Sequence, residues 1–290
     1  MSSASAALGG SGIVALKGHG TENDFVLLPD LDAVLSLSPS LVRALCDRHA
    51  GVGADGVLRV VRTELATEPD VRAQADTAEY FMDYHNADGS IAEMCGNGVR
   101  VFGRYLQQAG LIDGSAVIAT RGGTRSVSFQ GDSVAVGMGR ATLLDQQPTV
   151  SCGPAGPFKP VALALPNPHL VVELDSESEL AALDLSRPPL VQPGLPDGQN
   201  VEFFVRTGAD RVRMRVHERG VGETRSCGTG ICAVVVAAAG ATAGSGRWQV
   251  DTAGGRCEVW WAEDGDLVLS GPAVLVATLT IAEEWLAAHR

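Results

Sequence analysis

Two short cysteine motifs contain the residues of this chain that are best suited to chemistry. Each is a Cys-Gly-x-Gly at the point where a loop turns into a helix, one at Cys95 and the other at Cys227. A helix start offers unpaired backbone N–H groups and a partial positive charge, and glycines let the backbone approach a ligand closely. This environment favours a thiolate, so we expect the pKa of both thiols to be lowered to about 3.5–7.5. The repetition predicts one thiol device built twice.

A pair of thiols in matching positions is suited to inverting a carbon stereocentre. One sulfur, as a thiolate, removes a proton from the carbon, and the other, as a thiol, delivers a proton to the opposite face. The backbone N–H groups at Gly96-Asn97 and at Gly228-Thr229 are suitable donors to a carboxylate on which charge builds up. The residues alone also allow small buried cysteines, a Cys95–Cys227 disulfide, or a histidine-assisted cysteine hydrolase.

Several polar side chains that suit a zwitterionic ligand lie in loops at the ends of predicted strands. Asparagine amides can bind both an ammonium and a carboxylate, Arg219 can grip a carboxylate with two N–H groups, and Glu218 can accept from an ammonium. A single asparagine in a turn more often caps the backbone, but here several lie in short motifs flanked by glycine. The asparagines concerned are Asn23, Asn86, Asn167 and Asn200.

The composition restricts the class of protein. The 290-residue chain is 45% hydrophobic and has a net charge of −12. These values indicate a globular protein and argue against nucleic acid or an anionic membrane as the main partner. No apolar run is long enough to span a bilayer and no secretory signal is apparent, so we expect no membrane partner and a cytoplasmic location. The stretch 1–12 is expected to be a disordered tail.

Residue counts disfavour two kinds of cofactor. Pyridoxal enzymes hold their cofactor on a lysine, and the chain has only Lys17 and Lys159, neither in a phosphate-binding context. The histidines show no paired ligand spacing, and a C-x₄-C on one helix, Cys227 with Cys232, is a weak zinc signal. We therefore expect neither a cofactor nor a metal site.

The elements that must position these residues repeat along the chain. Each half is predicted to hold one long helix among many short strands, starting at a cysteine and ending near Gly110 or near Gly244. The segment 63–77 is expected to be irregular, and 187–196 to be a surface connection. The pattern predicts an α+β fold of two pseudo-symmetric domains. Each is a mostly antiparallel sheet wrapped around a central helix, with the active site in the cleft between them.

Taken together, the motifs resemble the diaminopimelate epimerase family over nearly the whole chain. They are His19-Gly20-Thr21-Glu22-Asn23-Asp24-Phe25, Asn86-Ala87-Asp88-Gly89-Ser90, Met94-Cys95-Gly96-Asn97-Gly98-Val99-Arg100, Asn167-Pro168-His169, Glu218-Arg219-Gly220-Val221-Gly222-Glu223-Thr224 and Ser226-Cys227-Gly228-Thr229-Gly230. The resemblance implies cofactor-independent epimerisation of LL-2,6-diaminopimelate to meso-diaminopimelate, a precursor of lysine and peptidoglycan. The alternative is another two-thiol racemase of the proline or hydroxyproline type, which would have little use for Arg219.

The resemblance also implies a role for each matching residue. Cys95 and Cys227 would be the acid–base pair, and His169 and Glu218 would tune the thiols and the reacting centre. The residues implied to bind the diamino diacid substrate are Asn23, Asn86, Gly96, Asn97, Asn167, Asn200, Glu218, Arg219, Gly228 and Thr229.

The expected domain boundaries follow from the same resemblance. An N-terminal domain would comprise 13–137 plus 272–290, and a C-terminal domain 138–271. A homodimer is possible, although Ala277 stands where some relatives use a tyrosine in their dimer contact. Gly56 stands where some relatives carry a glutamine that touches the substrate.

Overall fold

The first half of the chain contains seven strands and three α-helices. The computed structural model describes residues 12–196, 198–240, 244 and 246–289. The predicted tail, 1–12, therefore lies outside the described residues except for Gly12, which begins the first strand. In order, the elements are β1 (Gly12–Gly20), β2 (Asn23–Pro29), α1 (Pro39–Cys46), β3 (Gly56–Arg62), α2 (Pro69–Arg72), β4 (Tyr80–Asn86), α3 (Gly96–Gln108), β5 (Ala116–Ala119), β6 (Arg125–Gln130) and β7 (Ser133–Gly139).

The second half contains the remaining strands and helices. In order, they are β8 (Thr142–Leu143), β9 (Thr149–Cys152), β10 (Ala155–Phe158), β11 (Val161–Leu165), β12 (Asn167–Glu173), α4 (Glu177–Ala182), β13 (Leu190–Gln192), β14 (Asn200–Gly208), β15 (Arg211–Glu218), β16 (Gly222–Thr224), α5 (Gly228–Ala239), β17 (Arg247–Thr252), β18 (Gly255–Trp261), β19 (Leu267–Pro272), β20 (Val274–Ala282) and α6 (Glu283–Ala287).

Strand pairing follows the same plan in both halves. In the first half, β1 to β7 pair in chain order, and the β2–β3 and β4–β5 contacts are parallel. In the second half, the order β11-β12-β14-β15-β17-β18-β19 has its parallel contacts at the matching places, β12–β14 and β15–β17. The two last strands, β7 and β19, pair with each other and join the halves. The fold is therefore the predicted internal duplication.

Each half also receives one strand after the β7–β19 junction. The chain leaves β7 for β8, which pairs with β11, and it leaves β19 for β20, which pairs with β1. These two crossings support domain limits near 138 and 272. The exact boundaries, 13–137 plus 272–290 and 138–271, stay a prediction.

The two long helices lie in the middle of their halves. Helix α5 is apolar on all sides, with Ile231, Val234 and Val235 fully buried, as expected for a helix that strands surround. Helix α3 contacts strands of the first half in the same way, but it buries Arg100 completely. The Arg100 guanidinium donates to the carbonyl of Pro272 at 2.8 Å, so it ties α3 to the chain crossing at that point.

The hairpin between β1 and β2 reaches from the first half into the second. Thr21 and Glu22 form its two-residue tip, and both have positive φ, 49° and 61°, as a type I′ turn requires. This conformation is unfavourable for a β-branched residue. The Thr21 hydroxyl is buried, lies 2.7 Å from the Ser226 hydroxyl and accepts from Arg100. These contacts stabilise the turn and lock the halves together next to Cys227.

Some expected elements differ in the structure. Helix α5 ends at Ala239, earlier than predicted, because Gly240 has φ 81° and leaves the helical path; 241–243 lie outside the described residues. The segment 63–77 is not irregular, since it holds a 3₁₀ helix at Thr63–Leu65 and α2. The connection 187–196 contains β13, which pairs with β9 in a separate three-stranded sheet. No helix in the described part of the chain is long and apolar enough to cross a bilayer.

The close packing of the hairpin tip, Thr21, against Gly254 can be tested by replacing Gly254 with alanine. A Cβ there would lie 1.8 Å from the carbonyl oxygen of Thr21, so we expect a loss of about 1–3 kcal/mol in unfolding free energy. Gly194→Ala is the control, because its Cβ would meet no described atom within 4 Å, and a change within about 0.5 kcal/mol is expected. Equal melting and urea-unfolding midpoints for the two variants would contradict close packing of Gly254 against the hairpin tip.

Candidate active site

A cleft of about 550 Å³ lies where the N-termini of the two central helices meet. Both motif cysteines line it, together with the polar loops at the ends of β2, β4, β12 and β15. All the predicted site residues line this cleft except His169, namely Cys95, Cys227, Glu218, Asn23, Asn86, Gly96, Asn97, Asn167, Asn200, Arg219, Gly228 and Thr229. The assembly of these loops depends on the matching strand order of the halves.

The two helix starts touch through their first glycines. A Cβ added at Gly228 would lie 3.2 Å from the Gly96 Cα and 3.3 Å from the Asn97 nitrogen. A Cβ at Gly96 would lie 2.9 Å from the Met138 methyl group. Close packing therefore favours glycine on both helices, and the backbone contact restricts the relative position of the residues just before them, Cys95 and Cys227.

Cys95 is half-buried and lies among amide groups. Its sulfur accepts from the Gly98 N–H at 3.5 Å, as the N-cap of α3. The sulfur also lies 3.6 Å from the Asn23 side-chain oxygen, to which the thiol can donate. Both protonation states of Cys95 therefore have a hydrogen-bond partner. The helix N–H stabilises the thiolate, and the Asn23 oxygen stabilises the thiol.

Cys227 is buried next to a carboxyl group. Its sulfur lies 3.5 Å from the Thr229 hydroxyl, and its thiol hydrogen-bonds the Glu218 side chain. Glu218 also accepts from the Thr224 hydroxyl. Burial raises the pKa of Glu218, and the hydrogen bonds from Thr224 and Cys227 oppose that rise only in part. A carboxyl group of this kind can accept the proton of the neighbouring thiol.

The expected low pKa of the two thiols is wrong for this structure. Burial raises the pKa of Cys95 to about 11, although the Gly98 N–H lowers it. Burial and the nearby charge of Glu218 and Glu202 raise the pKa of Cys227 well above its usual range. Desolvation of the charged form outweighs the helix start because packed protein atoms surround both sulfurs. Both cysteines are free thiols.

The asparagines make different contacts around the cleft. Asn97 is fully buried, with its Nδ2 donating to the Ser226 carbonyl at 3.0 Å and its Oδ1 accepting from Arg100. Its side chain therefore serves the contact between the halves, and its backbone N–H hydrogen-bonds the Cys95 sulfur. The Asn200 Oδ1 accepts from the Arg219 N–H at 2.9 Å. Asn86 donates to the Ser90 hydroxyl at 3.0 Å.

His169 lies behind the cleft wall. It is fully buried, with Nε2 at 3.0 Å from the Asn167 Oδ1 and Nδ1 at 2.7 Å from Glu202 Oε1. His169 would therefore act on a ligand only indirectly, through Asn167. Glu202 is also fully buried and was missed from the sequence, because a glutamate next to a strand's apolar residues normally indicates a solvent-facing position.

Two further lining residues were missed. Tyr84 fills the space beside Gly56, where an added Cβ would lie 2.7 Å from the tyrosine ring. This packing explains why Gly56 carries no side chain here. Ser226 precedes Cys227 and holds Thr21 and Asn97. The signal for Ser226 was its place inside the second motif.

Neither lysine of the chain lines the cleft. Lys17 forms an ion pair with Asp24 at 2.6 Å, and Lys159 is exposed. Among the described residues, no group of three or more His, Cys, Asp or Glu side chains is arranged to hold a metal ion.

Solved structures with the same architecture identify the class of fold. A phenazine biosynthesis protein of the PhzF family from Bacillus anthracis superposes with a TM-score of 0.66 and 14% identity, covering 93% of this chain and 99% of that one. A hydroxyproline epimerase from Agrobacterium vitis superposes with a TM-score of 0.65 and 13% identity, covering 93% and 92%. The chain therefore has the two-lobed, duplicated fold of these proteins.

Sequence similarity identifies the family within that class. The profile described as diaminopimelate epimerase matches residues 15–144 and 161–276. A diaminopimelate epimerase from Streptomyces coelicolor is 49% identical over 289 residues, which cover 94% of this chain and 97% of that relative. The chain belongs to the diaminopimelate epimerase family, as its motifs predicted.

The raised thiol pKa can be tested by alkylation. Because only the thiolate reacts, we expect Cys95 in the ligand-free protein to react slowly with iodoacetamide near neutral pH. Its rate should still rise with pH at about pH 10, since the pKa of Cys95 is raised to about 11. Peptide mass spectrometry can follow Cys95 separately. A rate for Cys95 that reaches its plateau below about pH 8 would contradict the dominance of desolvation.

Proposed function

We propose that the protein interconverts LL- and meso-2,6-diaminopimelate by moving a proton at one α-carbon between Cys95 and Cys227. The observation that carries the proposal is the direct contact of Gly96 with Gly228, which brings two cysteine-capped helices to one cleft. Membership of the diaminopimelate epimerase family supports the choice of substrate.

The reaction needs one thiolate and one thiol at the same time. Burial raises the pKa of both thiols in the ligand-free cleft, so the resting site holds two thiols. Glu218 accepts the Cys227 proton, which leaves a thiolate and a neutral carboxyl group. A bound substrate stabilises this state because its α-ammonium brings a positive charge into the dry cleft.

The hydrogen on the α-carbon is then replaced from the opposite face. One sulfur takes the α-proton while the other delivers its own proton to the opposite face, so one C–H bond breaks, another forms, and the stereocentre inverts. The electron pair left on the carbon delocalises into the substrate carboxylate. The partial positive charge at the starts of α3 and α5, after Cys95 and Cys227, stabilises a carboxylate bound between them.

A diamino diacid also requires its second end to be held. Arg219, Asn86 and Asn200 lie along the wall of the cleft away from the helix contact. A guanidinium and amide groups bind a second carboxylate and ammonium better than they would bind a proline ring.

The predicted homodimer and cytoplasmic location stay predictions. Strands β1 and β20 expose Val14 and Val276, and the neighbouring Ala277 is exposed too. Such an apolar strip supports an interface at this edge, although no aromatic ring is present at 277.

The two-thiol proposal predicts distinct behaviour for single cysteine variants. Cys95→Ala and Cys227→Ala should each lose at least a hundredfold in epimerisation of LL-diaminopimelate, since one proton transfer lacks its catalyst. Each should still exchange the α-proton with D₂O on the face that the remaining thiol serves. Cys152→Ala, which removes a thiol outside the cleft, is the control and should retain activity. Wild-type turnover of proline without turnover of diaminopimelate would favour the alternative racemase.

Hydroxylamine distinguishes this chemistry from pyridoxal chemistry. No lysine lines the cleft, so we expect full epimerase activity with no added cofactor and no inhibition by millimolar hydroxylamine. A pyridoxal-dependent racemase treated in parallel should be inactivated. Loss of activity that pyridoxal phosphate restores would overturn the mechanism.

A further inference from the structure

The internal duplication places Asn23 and Asn167 at equivalent positions. Asn23 pairs with Gly20 where β1 turns into β2, and Asn167 pairs with Leu165 where β11 turns into β12. Both asparagines line the cleft. Their amide groups nevertheless have opposite orientations. In each half a carboxylate determines the orientation, Asp55 for Asn23 and Glu202, through His169, for Asn167.

Asn23 presents its oxygen to the catalytic centre. Its Nδ2 donates to Asp55 Oδ2 at 2.8 Å, and because a carboxylate only accepts, this contact fixes the orientation of the amide. The Asn23 Oδ1 then lies 3.6 Å from the Cys95 sulfur and 3.2 Å from the Asn97 Nδ2. Arg48 holds Asp55 in place from the other side at 2.7 Å.

Asn167 has the opposite orientation. Its Oδ1 lies 3.0 Å from His169 Nε2, while His169 Nδ1 lies 2.7 Å from Glu202 Oε1. In this orientation Nε2 donates to the amide oxygen and Nδ1 donates to the Glu202 carboxylate, so the contacts fit a His169 that carries a proton on each ring nitrogen. The Asn167 Nδ2, which donates to no residue in the described part of the chain, is left for the cleft.

The core does not need this ion pair for packing. The residues equivalent to His169 and Glu202 in the first half are Phe25 and Leu58, since Leu27 pairs with Leu58 as Val171 pairs with Glu202. Phe25 and Leu58 are fully buried and apolar. Replacing such a pair by two charged groups costs desolvation energy, so the polar pair indicates a task beyond packing.

The other ionisable groups around the pair are Glu218 from β15 and Cys227 from α5. Burial raises the pKa of both groups, and the charge of Glu202 adds to the rise. Gly230 lets Glu202 approach the start of α5, because a Cβ there would lie 2.7 Å from Glu202 Oε1. Within the described residues, Glu202 Oε2 has no hydrogen-bond partner, so the contact with His169 is the main compensation for the buried charge.

We infer that Glu202 is a positioning residue that keeps His169 doubly protonated and thereby holds the Asn167 amide with its N–H groups facing the substrate carboxylate. The two equivalent asparagines then offer an acceptor in one half and a donor in the other. This polarity gives a pseudo-symmetric cleft one preferred direction for an amino-acid zwitterion. The inference rests on the proposed function, because it takes an amino-acid carboxylate as the ligand.

Removing the charge at Glu202 should reverse the orientation of the Asn167 side-chain amide. In Glu202→Gln, the new amide oxygen can still accept from Nδ1, but His169 no longer needs its second proton. Neutral Nε2 then accepts from the Asn167 Nδ2, and the Asn167 oxygen turns towards the substrate carboxylate. We expect KM for LL-diaminopimelate to rise about tenfold to a hundredfold, as for a lost charge-assisted hydrogen bond, with kcat changed much less.

Two measurements separate this role from a structural one. With ¹⁵N-labelled histidine, both ring nitrogens of His169, assigned by their absence in His169→Asn, should be protonated in the wild type near pH 7.5, and only one in Glu202→Gln. The KM of Glu202→Gln, relative to wild type at each pH, should recover below about pH 6, where an ordinary histidine gains its second proton. Because the charge of Glu202 also raises the pKa of Glu218 and Cys227, the recovery of KM must follow the ¹⁵N titration of His169 in the same variant.

Asp30→Asn is the matched control. Asp30 is a buried carboxylate that is ion-paired with Arg59 at 2.7 Å and does not line the cleft, so its removal should leave KM unchanged. In an Asn167→Ala background, Glu202→Gln should add less than about twofold to KM, because the two residues act through one contact. An unchanged KM, an imidazolium that persists in Glu202→Gln, or additive effects would overturn the inference.

A second variant tests the orientation of the Asn167 amide without replacing either residue of the buried pair, His169 and Glu202. Asn167→Asp offers only oxygens, so it should raise KM more than Asn167→Ala if this position faces a carboxylate. A KM below that of Asn167→Ala would show that the position faces an ammonium and would overturn the inference. If the wild type does not epimerise diaminopimelate, the proposed function fails, while the His169 protonation still tests the relay.

Discussion

The direct contact between two helix starts is the constraint on which the rest of the site depends. Gly228 packs so closely on Gly96 that a single added carbon at Gly228 would lie 3.2 Å from its backbone. The cysteines come immediately before these glycines, so the geometry of two main chains fixes the relative position of the two cysteine residues. Flexible side chains could not hold two acid–base groups on opposite faces of one carbon with the same accuracy.

The same contact explains why the thiols rest in the protonated state. Bringing the halves together buries Cys227 and leaves little water at Cys95, so desolvation outweighs the stabilising N–H groups of α3 and α5. Two resting thiols protect a cysteine pair from reacting with the wrong partner. In the proposed mechanism, the charge needed for proton abstraction depends on a ligand that brings its own ammonium into the cleft.

Local chemistry made part of this site predictable. The Cys-Gly-x-Gly motifs and the glycine-flanked asparagines depend on neighbouring residues in the chain, and the structure begins a helix after each cysteine motif, as these motifs indicated. Long-range contacts were not predictable in this way. Thr21 adopts its unfavourable turn because Ser226 and Arg100 hold it, and no local pattern near Thr21 contains that information.

Glu202 shows the same limit for the core. A glutamate within Asn200–Gly208 looks like the polar face of a strand, yet its register beside Val171 turns it towards α5 and His169. The thiol pKa was mispredicted for a similar reason, because helix starts are visible in a sequence and burial at a contact between halves is not.

A duplicated fold raises a problem of its own, because two equivalent halves tend to build two equivalent surfaces. A substrate with an amino-acid group at each end would meet such surfaces in either direction with similar energy. Here the duplication is complete in the strand order but broken beneath the cleft, where Phe25 and Leu58 of one half correspond to His169 and Glu202 of the other. Uncharged packing leaves Asn23 under the control of Asp55, whereas the buried ion pair controls Asn167. The backbone thus brings the two cysteines to one cleft, and in the inferred arrangement a pair of buried charges supplies the difference between the halves that inversion at one end of a nearly symmetric molecule requires.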